Sequence, residues 1–338
     1  NTALRNRARD CSRHRAHTTF GVMSVSVHDE APTAPRSTVT PAGVEVARER
    51  RGLGSTDLLL ASMALIWSIN YSVIKYGTRF VEPLAYNAVR IALGAVAALS
   101  ALAIWHRRGE PVTRHRTRLF LLGMLGNGLY QFFFIQGLAR SRVATTVLLM
   151  ASTPAVIALV GRARGVERIA SRGWLGIGLQ LSGVAILLIG TGAGAGSDST
   201  VGALTILAAV CSWALFAVML KPISSDVNWL EVTGYTLAGG AVVSLALGAS
   251  AILRSSWETA PFAIWPAIAY SGIGALLVAT AFWYVGLKRL GPTRTSMYSN
   301  LQPLFAMTIA WAALGEVPTQ WQVIGALLIM SGLLLARA

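Results

Sequence analysis

Ten apolar stretches, each about as long as a lipid bilayer is thick, dominate this 338-residue chain. A transmembrane helix needs roughly 20 mostly apolar residues. Only 13% of the residues are charged, which is too few for the surface of a soluble protein of this length. The sequence therefore predicts an all-α polytopic membrane protein with ten transmembrane helices. We predict these helices at residues 57–77, 84–105, 118–138, 143–161, 173–191, 201–221, 230–252, 265–287, 293–314 and 321–337.

The basic residues lie mostly on one side of the predicted membrane. If the N-terminus is inside, 23 of the 29 Lys and Arg residues fall in cytoplasmic segments and four fall on the opposite side. This asymmetry follows the positive-inside rule, so we expect a multi-pass protein of the cytoplasmic (inner) membrane with both termini in the cytoplasm. The same bias explains the net charge of +15, so nucleic-acid binding is not expected.

Residues 1–56 differ in composition from the rest of the chain. They are rich in Arg, Pro, Thr and Ser and lack helical periodicity, so we predict a disordered basic cytoplasmic tail. Met23 opens the segment "MSVSVHDEAPTAP", and two interpretations stay open. Either translation starts at Met23, or residues 1–22 form a genuine basic arm.

The sequence lacks the residue patterns of common enzyme and metal sites. Cys11 and Cys211 lie in the tail and in a predicted helix, and all five histidines lie in the tail or in one predicted cytoplasmic loop. No Asp-x-x-Asp pair of the kind that holds Mg²⁺ occurs. We therefore expect no enzyme, no metal and no cofactor.

The apolar region contains an internal duplication. Residues 137–187 match 286–336 at a constant offset of 149, as do Gly123 and Phe133 with Gly272 and Phe282. The first two predicted helices match the sixth and seventh at an offset of 146. The most specific matches pair Pro154, Glu167, Trp67 and Lys75 with Pro303, Glu316, Trp213 and Lys221. Because each half holds five helices, the second half enters the membrane from the opposite side. We expect inverted repeats at 57–191 and 200–338, an arrangement that places a substrate site near the bilayer midplane.

Several motifs now support a family resemblance. The first half carries "ALIWSINYSVIKYG", "PLAYNAVRIALG", "STPAVIALV" and "GWLGIGLQLSGVAILL", and the second half carries "LQPLFAMTIAWAALGE" and "GALLIMSGLLL". With these motifs, residues 57–337 resemble the EamA-type branch of the drug/metabolite transporter superfamily. The resemblance implies export or exchange of small metabolites such as amino acids, sugars or nucleosides. The first-half loop "GRARGVE" departs from the apolar run into Gly-Glu that the second half keeps.

The duplication and the resemblance together predict alternating-access transport of a small metabolite, with an amino acid or a related anionic compound as one candidate. The alternative is a regulatory or structural membrane protein that acts through its basic tail, and deletion of 1–56 would discriminate between the two. No Asp, Glu or His falls in the middle of a predicted helix. We therefore expect facilitated diffusion or exchange, since proton-driven transport normally needs a titratable group along the route.

Charged side chains inside predicted helices are the first site candidates. Arg90 lies seven residues after Pro83, roughly 10 Å along its helix at 1.5 Å per residue. It either binds an anionic group of the substrate or snorkels to the interface. Lys75 and Lys221 lie in the last turns of their helices, and we expect both to snorkel. The Asn70 amide is deeper and binds either a neighbouring helix or the substrate.

The remaining candidates are polar or aromatic residues of the predicted cavity, lined by helices 1, 3, 4, 6, 8 and 9. The full substrate-binding set is Trp67, Asn70, Tyr86, Arg90, Asn127, Tyr130, Gln131, Thr153, Trp213, Thr280, Trp283, Asn300 and Gln302. For the aromatic residues the alternative is core packing. For the polar residues near the helix-breaking Pro154 and Pro303, the alternative is bonding to freed backbone carbonyls. The glycine-rich helices 5 and 10 form either scaffold or a homodimer contact.

Overall fold

A computed structural model describes residues 54–337 except 108, 110–111, 166–168, 193–198 and 225. The predicted tail, apart from residues 54–56, and Glu167 lie outside the described residues. Within the described residues the chain is all-α, and its helices follow one another along the sequence. They are α1 Ser55–Gly77, α2 Pro83–His106, α3 Arg116–Arg140, α4 Val143–Ala163, α5 Ser171–Gly192, α6 Thr200–Ser224, α7 Trp229–Arg254, α8 at 264–299, α9 Leu301–Leu314 and α10 Gln320–Arg337.

Helices α1 to α7 and α10 agree with the predicted spans to within a few residues, but the boundary between α8 and α9 was predicted wrongly. The sequence predicts that helix 8 ends at 287 and that helix 9 begins at 293. In the structure α8 continues to Ser299, and α9 begins only at Leu301. Gly291 and Pro292 favour a loop by composition. The helix nevertheless continues through both residues, beyond Gly286, the last residue of the candidate membrane span. A helix that is already formed extends at little cost, because each added residue brings a further backbone hydrogen bond.

Two helices contain π-helical segments at equivalent places in the two halves. In α3 the segment is Met124–Leu129, and in α8 it is Tyr270–Val278. Their last residues are separated by the same offset of 149 that relates the two halves in sequence. Helix α4 is interrupted at Ser152, and the chain between α8 and α9 is interrupted at Asn300. The duplication is therefore visible in the irregularities of the helices as well as in the sequence.

The packing of the helices follows the same correspondence. Helix α1 packs on α8 and α9, and its counterpart α6 packs on α3 and α4. Helix α2 pairs with α7, and α5 pairs with α10. When each helix is replaced by its counterpart five helices away, every one of these pairs becomes either itself or another observed pair. This is the arrangement expected of two five-helix repeats.

Glycines allow the backbones of several helices to touch. A Cβ atom on Gly272 of α8 would lie 2.5 Å from the Arg90 carbonyl oxygen, and a Cβ atom on Gly123 of α3 would clash with the Thr236 carbonyl of α7. Gly272 and Gly123 are equivalent positions in the duplication, as are Arg90 and Thr236. The same close packing joins α5 to α10, where Gly183 lies against the Gly325 carbonyl.

Lys75 does not snorkel, contrary to the sequence-based expectation. Its Nζ donates hydrogen bonds to the carbonyl oxygens of Leu138 (2.9 Å), Ala139 (3.3 Å) and Ser141. These carbonyls lie at the end of α3, where the last turn of a helix leaves acceptors free and carries partial negative charge. The ammonium group is thus held by a neighbouring helix terminus. Lys221, its equivalent, is exposed.

The polar contacts between helix ends join termini that the predicted topology places on the same side. On the predicted outer side, Glu316 accepts from the Val143 backbone N–H (2.8 Å), and Glu82 lies 3.5 Å from Arg254. On the predicted cytoplasmic side, Glu231 accepts from the Thr113 backbone N–H at 2.8 Å. These contacts are consistent with ten crossings of the membrane.

Candidate functional site

Arg90 is the most deeply buried cation among the described residues, with 1% of its surface exposed. Pro83 begins α2 at its first turn, a favourable position for proline, and Arg90 follows two helical turns later. Its Nε donates to Asn87 Oδ1 (3.1 Å), one turn earlier on the same helix. Its Nη1 donates to Ser271 Oγ (3.1 Å) in α8, and its Nη2 donates to Gln131 Oε1 (2.5 Å) in α3. Every nitrogen of the guanidinium therefore has a partner.

All three of these partners are neutral. Within the described part of the chain, Arg90 forms no ion pair with a carboxylate. Burial of a charge without a counter-ion costs several kcal/mol (about 3–5 by mutational measurements) even when hydrogen bonds are present. The arrangement thus leaves a buried positive charge that an anion would neutralise.

The second half of the molecule builds the same helix crossing without a charge. Thr236 and Thr233 occupy the positions equivalent to Arg90 and Asn87, and Thr280 occupies the position equivalent to Gln131. Thr236 Oγ1 donates to the Val232 carbonyl and Thr233 Oγ1 to the Trp229 carbonyl, so both satisfy their own helix. Since threonines suffice for the packing of α7 on α3, the charge of Arg90 is not needed to fold this type of crossing.

An aromatic row extends from the Arg90 cluster. Tyr130 directly precedes Gln131, and its ring lies 5.0 Å from the Trp213 ring and 5.8 Å from the Phe134 ring, centroid to centroid. Tyr71 meets Phe134 edge to face at 5.7 Å. These contacts join α1, α3 and α6, three of the helices predicted to line the cavity. Tyr130 and Trp213 are only partly buried.

A second aromatic group joins α1 to the π-helical segment of α8. Trp67 Nε1 donates to the Ala275 carbonyl (2.9 Å), and the Tyr270 hydroxyl donates to the Ile66 carbonyl (2.9 Å). The Trp67 and Trp283 rings lie 6.3 Å apart. Trp67 and Trp213 are equivalent in the duplication but lie in two separate aromatic groups. Trp67 of α1 contacts α8, and Trp213 of α6 contacts α3. Both α8 and α3 carry a π segment.

Two further candidates are buried with an oxygen atom that has no hydrogen-bond partner among the described residues. Asn70 is 8% exposed and its Oδ1 is unpartnered. Tyr86 is fully buried beside Gly77 and lies next to Ser271, but its hydroxyl makes no hydrogen bond of standard geometry. Buried polar atoms of this kind are rare in folded proteins, and a bound molecule or water would satisfy them.

The remaining candidates are more dispersed. Asn127 packs with its Cβ against Gly240 of α7, whereas Gln131 meets α2, so these two residues of α3 contact different helices. Near the interruption of α4, Thr153 and Ser152 donate to the Met150 and Leu149 carbonyls.

In the second half, Ser68 of α1 donates to the Gln302 carbonyl at 3.3 Å. Asn300 caps α9, and Thr280 is partly buried in α8. The interruptions lie two residues before Pro154 and three before Pro303.

Two members of the Arg90 cluster, Asn87 and Ser271, are absent from the substrate-binding set predicted from the sequence. The spacing of three residues between Asn87 and Arg90 places both on one helix face, so this partner was visible in the sequence. Ser271 was not visible, because only the packing of α2 against the π segment of α8 brings it to Arg90. An open cleft lined by Arg116, Thr117, Phe120 and Tyr235 lies at the start of α3, away from this cluster.

Comparison with known proteins gives a consistent result. The model of the EamA-like transporter family matches residues 54–189 and 200–338. The transporter YyaM of Bacillus subtilis, whose function is uncharacterised, is 26% identical over 287 residues, covering 82% of this chain and 92% of that protein. A Streptantibioticus cattleyicolor protein named "Probable terminal-alkyne amino-acid exporter" is 25% identical, covering 82% and 91%. One crystal structure, 24% identical, aligns with a TM-score of 0.58 over 83% of this chain, which shows a shared fold.

Proposed function

Because the chain belongs to the EamA-like transporter family, we propose that it carries a small metabolite with an anionic group across the cytoplasmic membrane by alternating access. The family and its named relatives make it a multi-pass membrane transporter of small molecules. Amino acids are the cargo class we favour, because they carry a carboxylate and because one relative is named as an amino-acid exporter.

The buried guanidinium of Arg90 is the observation that supports an anionic cargo. It is enclosed by neutral oxygens, and the equivalent crossing in the other half contains threonine instead. A guanidinium can hold a carboxylate or a phosphate through two parallel hydrogen bonds, and this geometry is stronger in a dry site than in water. We assign Arg90 the role of binding the anionic group of the substrate.

The route would run between the two repeats. We propose that residues 57–191 and 200–338 form inverted five-helix units, with both termini cytoplasmic. The matched π segments of α3 and α8 and the matched pairing of α1 and α6 support this division. The aromatic row from Tyr71 to Trp213 would then face the substrate body while Arg90 holds its charge. Transport is expected to be exchange or facilitated diffusion, since the described acidic residues lie near helix ends.

Counterflow in proteoliposomes tests this proposal. Vesicles are loaded with pooled amino acids, sugars or nucleosides, and uptake of the matching tracer is measured for the wild type, Arg90→Thr and Arg79→Gln. Arg90→Thr introduces the residue that the second repeat uses at this position, so the fold is expected to survive. Arg79 is exposed at the end of α1 and controls for the loss of one positive charge.

The expected result is uptake with the amino-acid pool, retained in Arg79→Gln and lost in Arg90→Thr. Equal uptake by wild type and Arg90→Thr would refute the role of Arg90. Uptake only with neutral sugars would refute the anionic substrate class and leave the transporter assignment standing.

A further inference from the structure

The two terminal nitrogens of Arg90 are held by oxygens from two different helices. Nη1 donates to Ser271 Oγ of α8, and Nη2 donates to Gln131 Oε1 of α3. A carboxylate that binds the end of a guanidinium presents its two oxygens to these same two nitrogens. Ser271 and Gln131 therefore occupy the positions that a substrate carboxylate requires, while Asn87 holds Nε from the side.

Both residues are connected to the irregular segments of their helices. Ser271 is the second residue of the π segment Tyr270–Val278, and Gln131 follows the π segment Met124–Leu129 by two residues. π-Helical segments inside α-helices frequently occur at functional sites. Through Arg90, α2 is tied to both helices at the points where they are least regular.

We infer that Gln131 and Ser271 are displaceable positioning residues. They hold the Arg90 guanidinium while the site is empty, and they yield its two terminal nitrogens to the carboxylate of the substrate. This inference rests on the proposed function. A carboxylate adds the attraction of opposite charges to the two hydrogen bonds that it can accept from the guanidinium, whereas Gln131 and Ser271 are neutral, so the exchange is favourable. The exchange also breaks the hydrogen bonds that tie α3 and α8 to α2. The substrate therefore binds the conformation without these bonds more tightly than the conformation with them, and a ligand can drive a conformational change only through such a difference in affinity.

The competing interpretation is that Gln131 and Ser271 fix Arg90 in the orientation that the substrate needs. The two interpretations predict opposite effects of removing either residue. If the side chains compete with the substrate, their removal strengthens substrate binding. If they only orient Arg90, their removal weakens it. The Michaelis constant for exchange therefore separates the two interpretations.

The test uses Ser271→Ala and Gln131→Leu in proteoliposomes, with the common amino acids as the carboxylate probe and their amides, which lack the carboxylate, as the comparison probe. Ser182→Ala is the control, because Ser182 is exposed on α5 and donates only to the Gly178 carbonyl. We expect the KM for the transported amino acid to fall by about tenfold in either variant, the value of one hydrogen bond to a charged group. Uptake of the amides should not increase, and Ser182→Ala should match the wild type.

If the KM rises or stays constant in a folded Ser271→Ala protein, the substrate does not displace Ser271 from Arg90. Thermal unfolding with and without the amino-acid pool provides a second readout. The pool should raise the unfolding midpoint more in Ser271→Ala than in the wild type, and an equal or smaller rise also counts against displacement. Failure of the proposed function is distinguishable. In that case the wild type does not transport carboxylates, or Arg90→Thr transports them as well as the wild type does. Either result refutes both the role of Arg90 and the displacement of Gln131 and Ser271.

Discussion

Substitution of Gly272 by alanine should separate α8 from α2 and disturb the Arg90 cluster. A Cβ atom at this position would lie 2.5 Å from the Arg90 carbonyl oxygen, whereas ordinary van der Waals contact begins at 3.4 Å. The two backbones must therefore move apart by about 0.9 Å. Neighbouring Ser271 moves with its helix, so its 3.1 Å hydrogen bond to Arg90 would be stretched as well.

The expected cost is about 1–3 kcal/mol, as for other overpacked interiors. This corresponds to a fall of several degrees in the midpoint of thermal unfolding, measured on purified protein in detergent. Gly178→Ala is the matched control, because a Cβ atom there meets nothing within 4 Å. It should be neutral or slightly stabilising, since alanine favours helix over glycine by up to about 1 kcal/mol.

Gly123→Ala separates the loss of stability from the effect on Arg90. Gly123 is the equivalent glycine of the other crossing, and its Cβ would clash with the Thr236 carbonyl rather than with Arg90. We expect both variants to be destabilised, but only Gly272→Ala to show weaker uptake per folded molecule. If Gly272→Ala is as stable as Gly178→Ala, the close approach of α2 and α8 is not a feature of the folded protein.

The remaining predictions concern the helix ends on the predicted outer side. Lys75→Met should lower the free energy of unfolding by about 2 kcal/mol because charge-assisted bonds to the end of α3 are lost. A denaturant titration in which Lys75→Met is as stable as Arg79→Met, a change at an exposed cation just after α1, would count against this role. Glu316→Gln keeps an acceptor for the Val143 N–H but removes the negative charge at the start of α4, so it should cost about 0.3–1 kcal/mol. High salt should reduce this cost, and a salt-independent effect would argue against electrostatics.

Much of the architecture could be predicted from the sequence because membrane helices carry a strong signal. The apolar stretches located eight of the ten helices to within a few residues, and the predicted helix-breaking residues Pro154 and Pro303 lie two and three residues after the interruptions at Ser152 and Asn300. The boundary between α8 and α9 was placed wrongly, since Gly291 and Pro292 are loop-forming residues in water but were retained inside a helix here. Here the extension of a helix that is already formed outweighs local composition.

The site was only partly predictable for a related reason. Arg90 was evident as a charge inside an apolar segment, whereas its partner Asn87 was missed although it lies three residues earlier on the same helix face. The role of Lys75 was not evident, because the carbonyls that bind it belong to α3, distant in sequence. Ser271 likewise depends on which helix lies opposite Arg90. Contacts between helices far apart in the chain leave no local pattern in a single sequence.

The central claim is that the Arg90 guanidinium binds the anionic group of the substrate. The most direct measurement is counterflow of the transported amino acid and of its amide, compared between the wild type and Arg90→Thr. We predict that the wild type prefers the carboxylate by at least about tenfold, as one charge-assisted pair provides, and that Arg90→Thr loses this preference. A folded Arg90→Thr protein that still prefers the carboxylate to the same extent would contradict the claim.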